Sequence, residues 1–177
     1  AKNTMVLCYS NDAPGSDDIA SGDRTWYDVL RNDPVSYGHS DPDLDPCGYR
    51  TLLVFQLAQK YYYDDATDFG LVPDPDADGL YDALAPGTEH ERGRVGGIDS
   101  TARPGGSEEV VSAKSVDLIV ALESGDLDYA FEYLSVALQH ELNYIELDDH
   151  INLSRINAEL AGVEDFYATA TIEIIQT

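Results

Sequence analysis

Ser40-Asp41-Pro42-Asp43-Leu44-Asp45-Pro46-Cys47-Gly48-Tyr49-Arg50 is the stretch on which the fold turns. Asp45 has a short side-chain acceptor suited to a helix N-cap, and Pro46 stands at the first helical position, where its missing N–H costs nothing. Cys47 and Gly48 then present backbone N–H groups at the positive end of a helix dipole. Downstream, residues Pro46 to Tyr63 are apolar around most of a helical circumference, which predicts a long, deeply packed helix. Upstream, Val35 to Ser40 reads as a short strand. A strand running straight into a helix mouth is where α/β folds place ligands. Such a mouth holds anions without basic side chains. Every helix also needs a start, and Asp-Pro is a common one, so both readings stand at this level.

Working outward, Met5 to Ser10, Tyr129 to Tyr133, Tyr144 to Leu147 and Ala168 to Ile175 join Val35 to Ser40 as strand candidates rich in β-branched or aromatic residues. Thr25 to Asn32, Ser115 to Ser124 and Leu134 to Leu142 read as helices, the second stopped by Gly125. Strands alternating with helices predict an α/β sandwich of three layers around a mostly parallel, five-stranded sheet. Residues 64–109 break the rhythm. They are rich in Asp, Gly, Pro and Arg, with a short helical piece at Leu80 to Leu84, and read as a long surface excursion. No internal repeat is visible, and residues 1–177 read as a single lobe.

The 177 residues carry 34 acidic and 10 basic side chains, a formal net charge of −24, yet 43% of them are hydrophobic. That apolar content excludes a disordered acidic tail. Lysines are confined to Lys2, Lys60 and Lys114. Molar salt shortens the Debye length to about 3 Å and would remove most of the self-repulsion. The charge therefore reads as adaptation to a salty medium, the competing reading being a surface for cations or basic partners. Nucleic acid is excluded as a ligand, because its phosphates would be repelled. No signal peptide, lipid-attachment cysteine or membrane-spanning run is present, and the chain opens and closes on apolar strands. This predicts a lobe lying between two interdomain crossovers. Cys8 and Cys47 make no disulfide framework, though they could pair.

Asp74-Pro75-Asp76-Ala77-Asp78-Gly79-Leu80-Tyr81-Asp82 has the spacing of a calcium loop, with Asp74, Asp76, Asp78 and Asp82 as the candidate ligands. The twelfth position is Ala85, where a bidentate Glu is needed, and a solvated acidic loop explains the run equally. Cys47 at a helix start with His39 nearby suggests an activated thiol, but a third, orienting residue is lacking. An enzyme is not expected. His90, His140 and His150 have no metal-ligand spacing.

The run from Ser40 to Arg50 resembles the archaeal tungstate/molybdate-binding proteins. So do Ser115-Val116-Asp117-Leu118 through Glu123-Ser124-Gly125, Asp128-Tyr129-Ala130-Phe131-Glu132-Tyr133, Ser135-Val136-Ala137 and Tyr144-Ile145-Glu146-Leu147. The resemblance implies the continuous second lobe of a type II periplasmic-binding fold, with the first lobe of the same protein missing from this chain. It implies an extracellular receptor, membrane-anchored on the cell surface, that hands an oxyanion to the membrane permease of an ABC importer. By resemblance, Asp45 is a carboxylate ligand to the metal centre of the oxyanion, the Cys47 backbone N–H donates to an oxo group, and Tyr133 supplies a hydroxyl donor. The family pattern has a second carboxylate where this chain has Ser115. A neutral hydroxyl there favours a tetrahedral, hydrogen-bonded oxyanion with Asp45 as a cap or a water-mediated contact. Sulfate, and the ligand-sensing lobe of a regulator, are the alternatives.

Overall fold

The computed structural model describes residues 4–85, the backbone of 98–102, and residues 106–154 and 166–167. In chain order the elements are β1 (Met5–Tyr9), α1 (Ser16–Ser21), α2 (Trp26–Asn32), β2 (Ser36–Ser40), α3 (Pro46–Gln59), α4 (Leu80–Leu84), β3 (Ile98–Ala102), β4 (Glu108–Ser112), α5 (Ser115–Ser124), β5 (Tyr129–Tyr133), α6 (Leu134–Gln139) and β6 (Asn143–Glu146). They form one sheet in the order β3-β4-β2-β5-β1-β6. α2, α3 and α4 lie on one side of it around Leu52, Phe55, Leu80, Leu84 and Phe131. α5 and α6 lie on the other, around Val6, Leu118, Leu122, Leu127 and Ala130. The three-layer α/β expectation agrees with this arrangement.

The expectation of a mostly parallel, five-stranded sheet does not. The described sheet has six strands and is mixed: β2 pairs in parallel with β4 and β5, whereas β1–β5, β1–β6 and β3–β4 are antiparallel. α5 carries the chain from β4 to β5 and α6 carries it from β5 to β6, strands that run the same way, as such crossovers require. α1 and α2 are short and return the chain from β1 to β2 without a full crossover, so β1 runs against its neighbours. The strand expected at Ala168 to Ile175 lies outside the described residues.

Residues 64–109 are also less superficial than expected. Ala66, Ala77, Leu80 and Leu84 are fully buried, and Tyr37 Oη donates to Leu84 O at 2.6 Å. The chain reaches that core through a π-helical turn at Lys60–Asp64 that ends the long helix. The segment rejoins the sheet as β3 and leads into β4.

Two glycines set the helices against the strands. A Cβ on Gly48 would sit 2.2 Å from Ser40 O, because the first turn of α3 lies directly on the Ser40–Asp41 peptide. A Cβ on Gly38 would meet Leu118 Cδ2 at 2.8 Å, where α5 rests on β2. The Gly48 neighbour is backbone and cannot yield like a flexible side chain. Gly48→Ala is therefore expected to cost about 1–3 kcal/mol or more through overpacking. Chemical denaturation measures it directly.

Candidate functional site

Three helices open at one edge of the sheet. α3 follows β2, α5 follows β4 and α6 follows β5, and these strands point the same way. Their carboxyl ends thus share an edge with the positive ends of two long helices, the usual ligand position in such folds. Asp45, Cys47, Ser115 and Tyr133 all lie there. Asp45, Ser115 and Tyr133 are partly buried at the rim, and Cys47 is buried beneath them.

The two mouths differ in what they leave open. Asp45 caps α3, its Oδ1 accepting from Cys47 N at 3.0 Å. Gly48 N donates to Asp45 O at 3.0 Å. The Cys47 N–H expected to serve an oxo group is therefore held by Asp45. At α5 the N-cap is Lys114, without a side-chain cap bond, and Ser115 is the first helical residue. Ser115 N and Val116 N have no acceptor among the described residues, so the open donors sit at α5.

Ser115 is engaged elsewhere through its side chain. Its Oγ donates toward Glu132, at 2.7 Å from Oε1 and 2.9 Å from Oε2. Glu132 is fully buried, and the Cys47 thiol also faces it, with Sγ 3.8 Å from Oε2. Burial pushes the Glu132 carboxyl up to about 7; the Ser115 hydrogen bond pulls it down and the Asp45 charge pushes it up again. Tyr133 is pushed up to about 12, chiefly by burial. The Arg50 guanidinium lies 5.8 Å from the Tyr133 ring, and Tyr133 Oη makes no hydrogen bond among the described residues. Ser40 Oγ, on the last residue of β2, is buried and likewise has no partner among the described residues. Continuing the β2–β5 register by two residues sets Ser40 beside Glu132.

Glu132 and Ser40 were not singled out from the sequence. A signal was available: Glu132 is the one charged residue in Tyr129-Ala130-Phe131-Glu132-Tyr133, a strand otherwise apolar or aromatic. An ionisable residue inside such a run needs a partner, and that partner marks a site.

The thiol reading fails on geometry. His39 is buried with Nδ1 2.8 Å from Ser40 O and Nε2 2.9 Å from Glu109 Oε2, so both ring nitrogens are engaged by groups other than the Cys47 thiol. Burial, then the charges of Glu132 and Asp45, hold the Cys47 thiol well above its ordinary range. Cys8 is raised to about 12, again mainly by burial, and the two cysteines are free rather than paired. Neither thiol is expected to react with a disulfide reagent such as dithionitrobenzoate in the native protein at neutral pH, and both should react once it is unfolded.

The acidic loop is organised around protein partners. Asp74 Oδ1 accepts from Asp76 N at 3.0 Å, and its Oδ2 accepts from Tyr27 Oη at 2.6 Å. Arg31 Nη1 donates to Asp76 O at 2.9 Å and Asp78 O at 2.6 Å, so a guanidinium is bound to the backbone of this loop. Asp78 and Asp82 are not drawn in with them: among the described residues no three His, Cys, Asp or Glu side chains gather as a metal ion requires. The four aspartates do not converge as the calcium spacing suggested.

The family described as bacterial extracellular solute-binding protein matches residues 1–167. The chain belongs to this family. The description of the family points to a binding role. An uncharacterized solute-binding protein of Methanoculleus marisnigri is 42% identical over 158 residues, covering 89% of this chain and 41% of that protein. Another, from Petrotoga mobilis, is 38% identical over 174 residues, covering 98% of this chain and 42% of the relative. A molybdate/tungstate-binding protein of Thermococcus kodakarensis is 32% identical over 179 residues, covering 100% of this chain and 45% of its own length. The chain thus spans less than half the length of each of these relatives. No helix among the described residues is long and apolar enough to cross a membrane.

Proposed function

We propose that this chain is one lobe of a two-lobed extracellular receptor that captures molybdate or tungstate and passes it to the permease of an ABC-type importer. The observation that carries this reading is the meeting of Asp45, Ser115 and Tyr133, from three separate elements, at an edge with two open backbone N–H groups. These oxyanions accept hydrogen bonds and donate none, so a site must offer donors and positive dipole ends. Ser115 N–H, Val116 N–H and Tyr133 O–H make such a set. The molybdate/tungstate-binding relative supports the ligand class. The length of the relatives beyond this chain leaves room for the other lobe, and a membrane anchor would hold the receptor at the cell surface.

A neutral Ser115 in place of a second carboxylate favours a tetrahedral oxyanion held by hydrogen bonds, with Asp45 capping α3. The same donor set would suit sulfate, which is the second reading. Calorimetric titration of the complete receptor with molybdate, tungstate and sulfate in multimolar potassium chloride separates them. Binding of the first two with sulfate silent is expected. Binding of sulfate alone, or of none, would refute the molybdate/tungstate reading. Affinity should also hold or improve as salt rises, because the field of a chain with net charge −24 repels the anion at low salt and is screened at high salt.

A further inference from the structure

Ser115 has one hydroxyl proton, and it points at Glu132. The Ser115 oxygen lies 2.7 and 2.9 Å from the two carboxylate oxygens, and an ionised carboxylate has no proton to give back. A hydroxyl so committed shows only lone pairs to the cleft, and lone pairs repel an oxyanion. Protonation of Glu132 reverses the polarity. The Glu132 O–H then donates to Ser115 Oγ, and the Ser115 O–H is released to donate to the ligand.

We infer that Glu132 and Ser115 form a proton-set donor switch beneath the oxyanion site, so that Glu132 takes one proton from solvent for each oxyanion bound. Glu132 is a positioning residue here: it acts on the ligand through Ser115. The inference rests on the oxyanion reading above and names the protonation state that reading needs.

The surroundings favour the protonated form once an anion arrives. From α3, Asp45 contributes a negative charge and Cys47 a neutral thiol 3.8 Å away. From α5, Ser115 is the contact, while Asp117 turns toward Ser112, 3.3 Å from its Oγ. On β5, the Tyr133 backbone favours the ionised carboxylate. β1 sets Val6 opposite Glu132, with the buried thiol of Cys8 nearby, and Glu146 of β6 lies across Val6 on the far side. β2 adds the unpartnered Ser40 hydroxyl. Of the nearby cations, Arg50 lies over the Tyr133 ring and Lys114 stands exposed at the N-cap of α5 beside Ser115. A bound dianion adds negative charge to that of Asp45 and further disfavours the carboxylate. Burial already holds this acid near neutrality, whereas Cys47 and Tyr133 keep their protons well beyond it. Molybdate itself stays a dianion above neutral pH.

The test is calorimetry of the complete receptor with molybdate between about pH 7 and 9, in buffers of different ionisation enthalpy. Uptake approaching one proton per molybdate is expected near pH 8.5, with affinity falling nearly tenfold per pH unit above about 7. In Glu132→Gln the amide donates to Ser115 at every pH, so binding should be flat with pH and take up no proton. At about pH 7, Ser115→Ala should bind at least about tenfold more weakly, having lost a hydrogen bond to a charged ligand. Infrared spectroscopy of the wild-type receptor reads the same event without a variant, as a protonated-carboxyl band that appears on adding molybdate at about pH 8.5. Binding without proton uptake, uptake that survives in Glu132→Gln, or Ser115→Ala with undiminished affinity would overturn the switch while leaving the receptor reading intact. Failure of molybdate and tungstate to bind at any pH would overturn both.

Discussion

Relative to its Glu132→Gln variant, the protein is expected to lose about 3 kcal/mol of stability as pH rises from about 4.5 to about 7, and to change little beyond. Glu132 is raised in the folded protein from its ordinary 4.5 to about 7. Below 4.5 both the folded and the unfolded chain hold this proton. Between the two values the unfolded chain releases it and the folded chain keeps it, so rising pH favours unfolding. Above 7 both have released it and the difference is constant. Across that window the gap between the two proteins changes by about 1.4 kcal/mol for every pH unit, which sets the size of the effect. Other carboxylates run the opposite way; Asp28, for example, is held below its ordinary range by Arg24. Comparison with Glu132→Gln cancels them, because the amide keeps the shape and does not titrate. Urea denaturation of both proteins across this range measures the difference. A constant gap between them would show that Glu132 is solvated in the folded state, and would remove the buried acid from beneath the site.

Tyr133→Phe should weaken molybdate binding by the complete receptor by about 10- to 150-fold, the loss of one hydrogen bond to a charged acceptor. The ring is partly buried against the main core, and Phe keeps that packing and its place beside Arg50. The hydroxyl has no hydrogen bond among the described residues whose loss could disturb the fold. Stability should accordingly change by less than about 0.5 kcal/mol. The two readouts separate a binding role from a structural one. Unchanged affinity in calorimetry would place the oxyanion away from Tyr133.

What could be read from the sequence depended on the kind of signal. The start of α3 is chemically explicit in Asp45-Pro46, and the structure places the cap and the first turn there. α5 likewise spans Ser115–Ser124 as its apolar period and the Gly125 stop predict. The expected helix Leu134 to Leu142 ends early at Gln139, because Glu141 turns to a positive φ of 54°. Alternation identifies a strand but carries no direction, so the antiparallel placement of β1 was not legible. β4 was missed because it opens on two glutamates, and one of them, Glu109, is buried against His39 across the sheet. α1 was missed because it is a single short run held between two glycines, Gly15 and Gly22, in the left-handed region. Depth in the 64–109 segment was hidden by composition: Leu80 and Leu84 are buried within a stretch whose average is polar.

At the site, the residues with a motif around them were legible and those defined by tertiary contact were not. Asp45, Cys47, Ser115 and Tyr133, the residues implied by the family resemblance, lie at one edge of the sheet. The pairing of Ser115 with Glu132 joins residues 17 apart in sequence and becomes visible only when α5 is laid on β5. That pairing changes the chemistry expected of Ser115, from a free donor to one whose direction depends on a proton.

The most direct test of an oxyanion site at the β2–β4–β5 edge is anomalous diffraction from crystals of the complete receptor grown with tungstate. One tungsten peak is expected at this edge, with the Ser115 and Tyr133 hydroxyls and the Val116 N–H in hydrogen-bonding reach of its oxygens. A peak elsewhere in the molecule, or none at saturating tungstate, would contradict it.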